Sequence, residues 1–222
     1  MGRTGKAIGR GRGTLPYTMS DLLTLDPLPE EQLRLPYDEF LPLRFVLKRH
    51  RVEKRGEVWL HTDIRLEACG RLLSWVADAH PSLDPARPIA LIERPDHQLR
   101  HIDGERCIPE GQDGSGPMIV WDLGSYRPLA PSELAPGRTV VEALRRGRFN
   151  FWIEGVRLRG AFRLEVAKGQ WQLAKLSDSH ATPSLIAHDD RSVLTGRTLD
   201  QVAEASGRTR RPAPPLDDLF GP

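Results

Sequence analysis

From Arg44 to about Lys175 the chain consists of short runs of alternating apolar and polar residues, separated by turn-forming glycine, proline and aspartate. Strand side chains alternate between two faces, so this pattern confines the segment to a β-rich sandwich or barrel. The runs predict strands at 44–51, 57–67, 72–77, 89–93, 117–122, 149–154, 161–166 and 170–176. A helix is expected at 139–146, with Thr139 as cap and Val140 and Leu144 on its apolar face.

The run VWLHTDIRLE (58–67) carries the densest chemistry. Period-two spacing sets His61, Asp63, Arg65 and Glu67 on one face, and Trp59 shares it. By itself this is the pattern of a solvated outer face on an antiparallel sheet. FVLKRHRV and EVWLHTDIRLE flank the glycine-bearing EKRGE, so they should form a hairpin that brings His50 towards His61 and Asp63. Two imidazoles and a carboxylate in that arrangement form an N,N,O set suited to Mn²⁺, Fe²⁺ or Zn²⁺. The competing reading is two histidines with no metal, and spacing does not decide between them.

Length and composition bound the rest. With 222 residues, 39% of them hydrophobic, the chain can bury one core and carry tails. No apolar run approaches the roughly 20 residues of a membrane span, and no secretory leader is evident, so a cytoplasmic location with no membrane partner is expected. Cys69 and Cys107 lack zinc-thiolate spacing and are expected as buried thiols. A net charge of +2 hides uneven blocks: Arg3, Lys6, Arg10 and Arg12 near the start, and Arg145, Arg146, Arg148, Arg157 and Arg159 later. Such blocks fit a phosphate-backbone partner or plain solubility. Residues 1–20 read as disordered, their glycines lacking the strand and helix that a phosphate-binding loop needs.

Five motifs then occur in one order: FVLKRH (45–50), HTDIRLE (61–67), LSWVADAHPSLDP (73–85), RPDHQLRH (94–101) and IPEGQDGSGPMIVWD (108–122). Together with GRFNFWIEGVRLRGAFRLEV and WQLAKLSD, they make residues 44–181 resemble the 3′-phosphoesterase domain of bacterial DNA ligase D, an enzyme of non-homologous end joining. RSVLTGRTLDQVA (191–203) is similar to the segment that often follows that domain. The resemblance implies a mainly β fold: a compact antiparallel barrel with one or two short helices, disordered termini and a crescent-shaped surface site. Residues 1–43 would be an N-terminal extension and 182–222 a tail with a short helix near 198–205.

By motif match the resemblance implies His50, His61 and Asp63 as ligands of a divalent metal, manganese first, with zinc or cobalt as alternatives. It implies Arg65 and His97 on the scissile phosphate, with His101 where the family has tyrosine. The implied activity removes a 3′-terminal ribonucleoside or 3′-phosphate from DNA or RNA-tipped DNA ends, leaving a 3′-hydroxyl. Implied partners are an end-joining ligase, a polymerase or Ku-type proteins. A weakened domain that binds DNA ends or repair proteins without turnover is the alternative.

Several positions depart from the family pattern. The interval from His50 to His61 is five residues longer, which either extends the hairpin or draws His50 away. Ala79 replaces a lysine and Ile89 an arginine, leaving His80 and Arg87 as candidate substitutes. No counterpart of the family's N-terminal arm occurs in residues 1–43. His97 has two readings, general acid or fixed phosphate contact. Glu67 is expected in a structural salt bridge, IPEGQDGSG as a loop using glycines at positive φ, and Trp75, Trp121, Trp152 and Trp171 in the core.

Overall fold

The structure, a computed structural model, describes residues 42–54, 57–130, 132, 134–183 and 190–207. The expected disorder of 1–20, the N-terminal basic block and the centre of the EKRGE turn lie outside these residues. In chain order the elements are β1 (Leu43–Lys54), β2 (Glu57–Ala68), β3 (Arg71–Ala77), β4 (Ile89–Gln98) and a 3₁₀ turn (Leu99–His101). They continue with β5 (Arg106–Ile108), β6 (Gly116–Pro128), α1 (Pro136–Arg145), β7 (Arg148–Gly155), β8 (Arg159–Ala167), β9 (Gln170–Lys175) and α2 (Leu199–Ala205).

The strands run β1-β2-β3-β4-β9-β8-β7-β6, and β6 pairs back onto β1, closing an antiparallel barrel of eight strands. Closure removes the open sheet edges that invite aggregation. The ninth strand, β5, pairs with the start of β6, before β7 takes over that edge. Among the described residues two hairpins are closed by two-residue turns: Cys69–Gly70 between β2 and β3, and Lys168–Gly169 between β8 and β9. All four residues have positive φ, which matches the right-handed twist of the flanking strands. That turn leaves Cys69 exposed, contrary to the buried thiol expected, while Cys107 is half-buried.

Inward positions supply the core: Phe45, Leu47, Ile64, Leu66, Leu73, Trp75, Trp121, Phe151 and Phe162, all at most 2% exposed. Helix α1 packs Val140, Val141 and Leu144 into it. Pro136 at the first turn starts this helix, so Thr139 is an interior residue whose hydroxyl donates to the Ala135 carbonyl, not the expected cap. Trp75 and Trp121 are core residues; Trp171 packs against the core, and Trp152 is half-buried with its indole N–H on Glu154. Helix α2 begins with a reciprocal capping box between Thr198 and Gln201 and packs Leu199 and Val202 against Ile119.

Three arginines of the 145–159 block are paired with carboxylates. Arg145 pairs with Glu142, Arg148 with Glu165 and Arg159 with Glu154, while Arg157 lies over the Trp121 ring. The Arg148 and Arg159 pairs join β7 to β8, and the Arg145 pair lies along α1.

Candidate active site

The β1–β2 register pairs His50 with His61 and Lys48 with Asp63. The pairing continues from Arg51↔Leu60 to Lys54↔Glu57, so the longer interval extends the hairpin and leaves the two imidazoles adjacent, with ring centroids 4.8 Å apart. His50, His61, Asp63 and Arg65 lie on the outer face of the barrel, yet His50, Asp63 and Arg65 are only 5–7% exposed and His61 is half-buried. Their cover comes from the β4–β6 stretch, whose 3₁₀ turn is tied down by Lys48 and whose glycine loop touches His50.

One candidate ligand atom from each of His50, His61 and Asp63 lies within 4.8 Å of the others. His50 Nε2 donates to the Gly114 carbonyl at 2.9 Å, which leaves the lone pair on Nδ1. A carbonyl that fixes an imidazole tautomer in this way is a usual companion of metal-ligating histidine. The loop glycines have the expected positive φ at Gly111, Gly114 and Gly116. A side chain at Gly116 would strike the Arg51 carbonyl, so the loop both closes against β1 and presents the Gly114 carbonyl to His50.

Asp63 connects the cluster to its cation. Oδ1 lies 3.2 Å from His61 Nε2, and Oδ2 accepts from Arg65 Nη2 at 2.8 Å. Burial pushes its pKa up, but the His61 hydrogen bond and the Arg65, His61 and His50 charges hold the carboxyl well below the usual carboxylate range. Burial lowers the pKa of His50, favouring the neutral, ligating form. Arg65 has a second property: among the described residues its buried Nε has no hydrogen-bond partner. A guanidinium kept out of water with a donor unused is costly unless an acceptor meets it.

His97 faces the same region. Its register partner is Leu72, and its Nδ1 lies 3.0 Å from the Ser74 hydroxyl, which donates its proton to the Leu72 carbonyl. Nδ1 therefore carries hydrogen, and Nε2 keeps its lone pair. Burial, then the Arg65 charge, lower the His97 pKa to about 4. His101 is half-buried, its ring centroid 6.4 Å from that of His97.

Lys48 was not singled out by the sequence reading, although its position two residues before His50 puts it on the site face. Only 2% exposed, it donates to the His101 and Gly104 carbonyls at 2.6 and 2.8 Å. It anchors the turn that follows His97, and burial lowers its pKa to about 8. Ser74 was missed as well, since nothing local marks it as a histidine's partner.

The two proposed substitute cations lie elsewhere. His80 bridges Thr62 and Asp190 and stacks on Trp121, while Arg87 pairs with Asp84. Thr62 belongs to the opposite face of β2 from His61 and Asp63, so His80 does not meet the cluster. Glu67 turns to Arg44 at 2.6 Å in a salt bridge, and Trp59 remains 47% exposed.

The pattern of the family described as the DNA Ligase D 3′-phosphoesterase domain matches residues 48–166. Among curated proteins, the multifunctional non-homologous end joining protein LigD of Pseudomonas aeruginosa is 34% identical over 177 residues, 75% of this chain and 20% of the relative. Its counterpart in Mycolicibacterium smegmatis is 26% identical over 164 residues, 70% of this chain and 19% of the relative. The LigD DNA repair protein of Mycobacterium tuberculosis is 33% identical over 82 residues, 37% of this chain and 10% of that protein. The chain thus spans about a fifth or less of the length of these relatives.

Proposed function

The chain belongs to the DNA ligase D 3′-phosphoesterase domain family, and on that premise we propose that its outer-face cluster is a metal-dependent phosphoesterase site for DNA 3′ ends. It removes a 3′-terminal ribonucleoside or 3′-phosphate from DNA or RNA-tipped DNA and leaves a 3′-hydroxyl, in double-strand break repair. DNA ends are its first partner, with an end-joining ligase, a polymerase or Ku-type proteins beside it. One observation carries the reading: a buried arginine with an unused donor stands next to an N,N,O ligand set. Such a pair is suited to a phosphate.

His50, His61 and Asp63 would hold the divalent cation, manganese first and zinc or cobalt next. When bound, that cation supplies Lewis-acid polarisation of a phosphoryl oxygen. Arg65 gives the phosphate a planar donor, held in position by Asp63. Growing negative charge is then met by a group already oriented and screened from water. Lys48 and Ser74 fix the His97 segment from two sides. His97 enters the complex neutral; a phosphate beside its Nε2 favours uptake of a proton there, which makes it a donor to the leaving oxygen.

This proton uptake is measurable. In the free protein the His97 pKa is lowered, so the folded state binds fewer protons than the unfolded state between about pH 4 and 6.5. Acidification through that window therefore removes stability, on the order of 2 kcal/mol for this residue. Inorganic phosphate should raise the His97 NMR midpoint by about one unit or more, the scale on which neighbouring charges act. An unchanged midpoint would leave His97 as a neutral, static contact.

The activity itself is tested with a primer-template carrying one 3′ ribonucleotide. The expected result is Mn²⁺-stimulated shortening of the primer with a 3′-hydroxyl at the end of the reaction. Tight binding without any metal-stimulated shortening would replace this reading by that of an end-binding module.

A further inference from the structure

Strand β5 is three residues long, and its register places it against the site. Arg106 pairs with Met118, Met118 with His50, and His50 with His61, so four side chains form one row across β5, β6, β1 and β2. Directly paired residues project to the same face, which puts Arg106 on the face of the metal-ligand cluster. The neighbouring residues agree. Ile108, two positions on, shares the space beside Gly114 with the His50 ring, while Cys107 turns the other way and packs with Ile119, Leu199 and Val202. Helix α2 therefore braces β5 from behind, and Arg106 stands on a supported mount.

The Arg106 side chain is exposed on that face. Arg44, Arg51, Arg145, Arg159 and Arg163 each have a carboxylate within ion-pair distance. Among the described residues the Arg106 side chain makes no ion pair and no hydrogen bond, and its charge helps to lower the pKa values of Arg65, Lys48 and His101. Of the acids that act on these cations, Asp63 is engaged by His61 and Arg65, and Asp103 acts on Lys48. A cation held among cations is stabilised by an anion with more than one charge to place.

Strands about 4.8 Å apart put the Arg106 backbone roughly 10 Å from that of His50. Arg106 therefore stands beside the ligand row and not in it, near enough to Arg65 and Lys48 for its charge to act on both. We propose that Arg106 binds the phosphate one nucleotide upstream of the scissile one, so that the site selects a strand end over a small phosphate ester. The proposal rests on the phosphoesterase reading above. It also identifies a cation that offsets the loss of lysine and arginine at Ala79 and Ile89, a role that neither His80 nor Arg87 fills.

The test compares the parent with Arg106→Gln and Arg106→Lys. In EDTA, binding of a fluorescent single-stranded end is followed against salt: Arg106→Gln should reduce the slope of log K on log salt by about 0.7, one single-strand phosphate contact, and Arg106→Lys should restore it. With Mn²⁺, the ratio of kcat/KM on the ribonucleotide-tipped primer to that on bis(4-nitrophenyl) phosphate should fall about tenfold, mainly through KM. An unchanged salt slope and ratio in an active parent overturns the proposal alone. An equal drop on both substrates also overturns it, because Arg106 would then act on the scissile phosphate. A parent that shortens no strand end removes the phosphoesterase reading and this proposal with it.

Discussion

Asp63→Ala is expected to reduce metal-stimulated 3′-end shortening by about 10³-fold or more, the scale of losing a principal electrostatic element of a site. Two functions disappear with this carboxylate. The cluster loses its oxygen donor, and Arg65 loses the Oδ2 contact at 2.8 Å that aims it. Removing one partner of a buried pair also leaves the other charge uncompensated, at a cost of about 3–5 kcal/mol. Asp63→Asn separates these effects, since the amide keeps an oxygen towards Arg65 and most of the shape while losing the charge. A folded Asp63→Asn protein should bind strand ends but show the same deep loss of turnover, and His61→Ala should follow it. Shortening within about tenfold of the parent in folded Asp63→Asn and His61→Ala would remove the metal cluster from the mechanism.

The largest loss of stability is expected from Asp122→Ala, about 4 kcal/mol or more. Asp122 has no exposed surface and accepts four backbone N–H groups: Leu123, Val156 and Arg157 on Oδ1, and Leu158 on Oδ2. Three of these donors belong to the connection between β7 and β8. Burial raises the Asp122 pKa, and the four hydrogen bonds oppose it. Alanine would leave several buried N–H groups unmet, each costing about 1–3 kcal/mol, although local relaxation recovers part of the sum. There is little room for another donor to substitute, because Gly155 approaches so closely that a Cβ there would meet Asp122 Oδ2 at 2.6 Å. Urea unfolding measures the change; a loss below about 1 kcal/mol would show that the turn holds without its carboxylate. The residue follows Trp121 in the IPEGQDGSGPMIVWD run, and its carboxylate fixes the β7–β8 connection to β6.

Parts of the site are legible in the sequence because alternation is local. Once 57–67 was a strand, His61, Asp63 and Arg65 had to share a face, and a hairpin had to bring His50 to them. The same rule would have exposed Lys48, two residues before His50, had the face been read along β1 as well as β2. The RPDHQ stretch was harder: it extends β4 to Gln98, beyond the expected end at 93, because Leu72 and Arg71 provide partners for His97 and Gln98 past a register shift. The three residues of β5 carry too few alternations to signal a strand, so Arg106 had no mark in the sequence.

Alternation and motif order settled the β class, the two faces of each strand and the identity of the clustered His, Asp and Arg side chains, because these depend only on neighbours along the chain. Closure of the barrel through β1 and β6, the burial of a polar outer face beneath the β4–β6 stretch, and the meeting of Arg106 with the His50–His61 row belong to the tertiary structure. Each depends on register between strands up to some eighty residues apart, and a shift of one residue there would turn every one of these side chains to the opposite face.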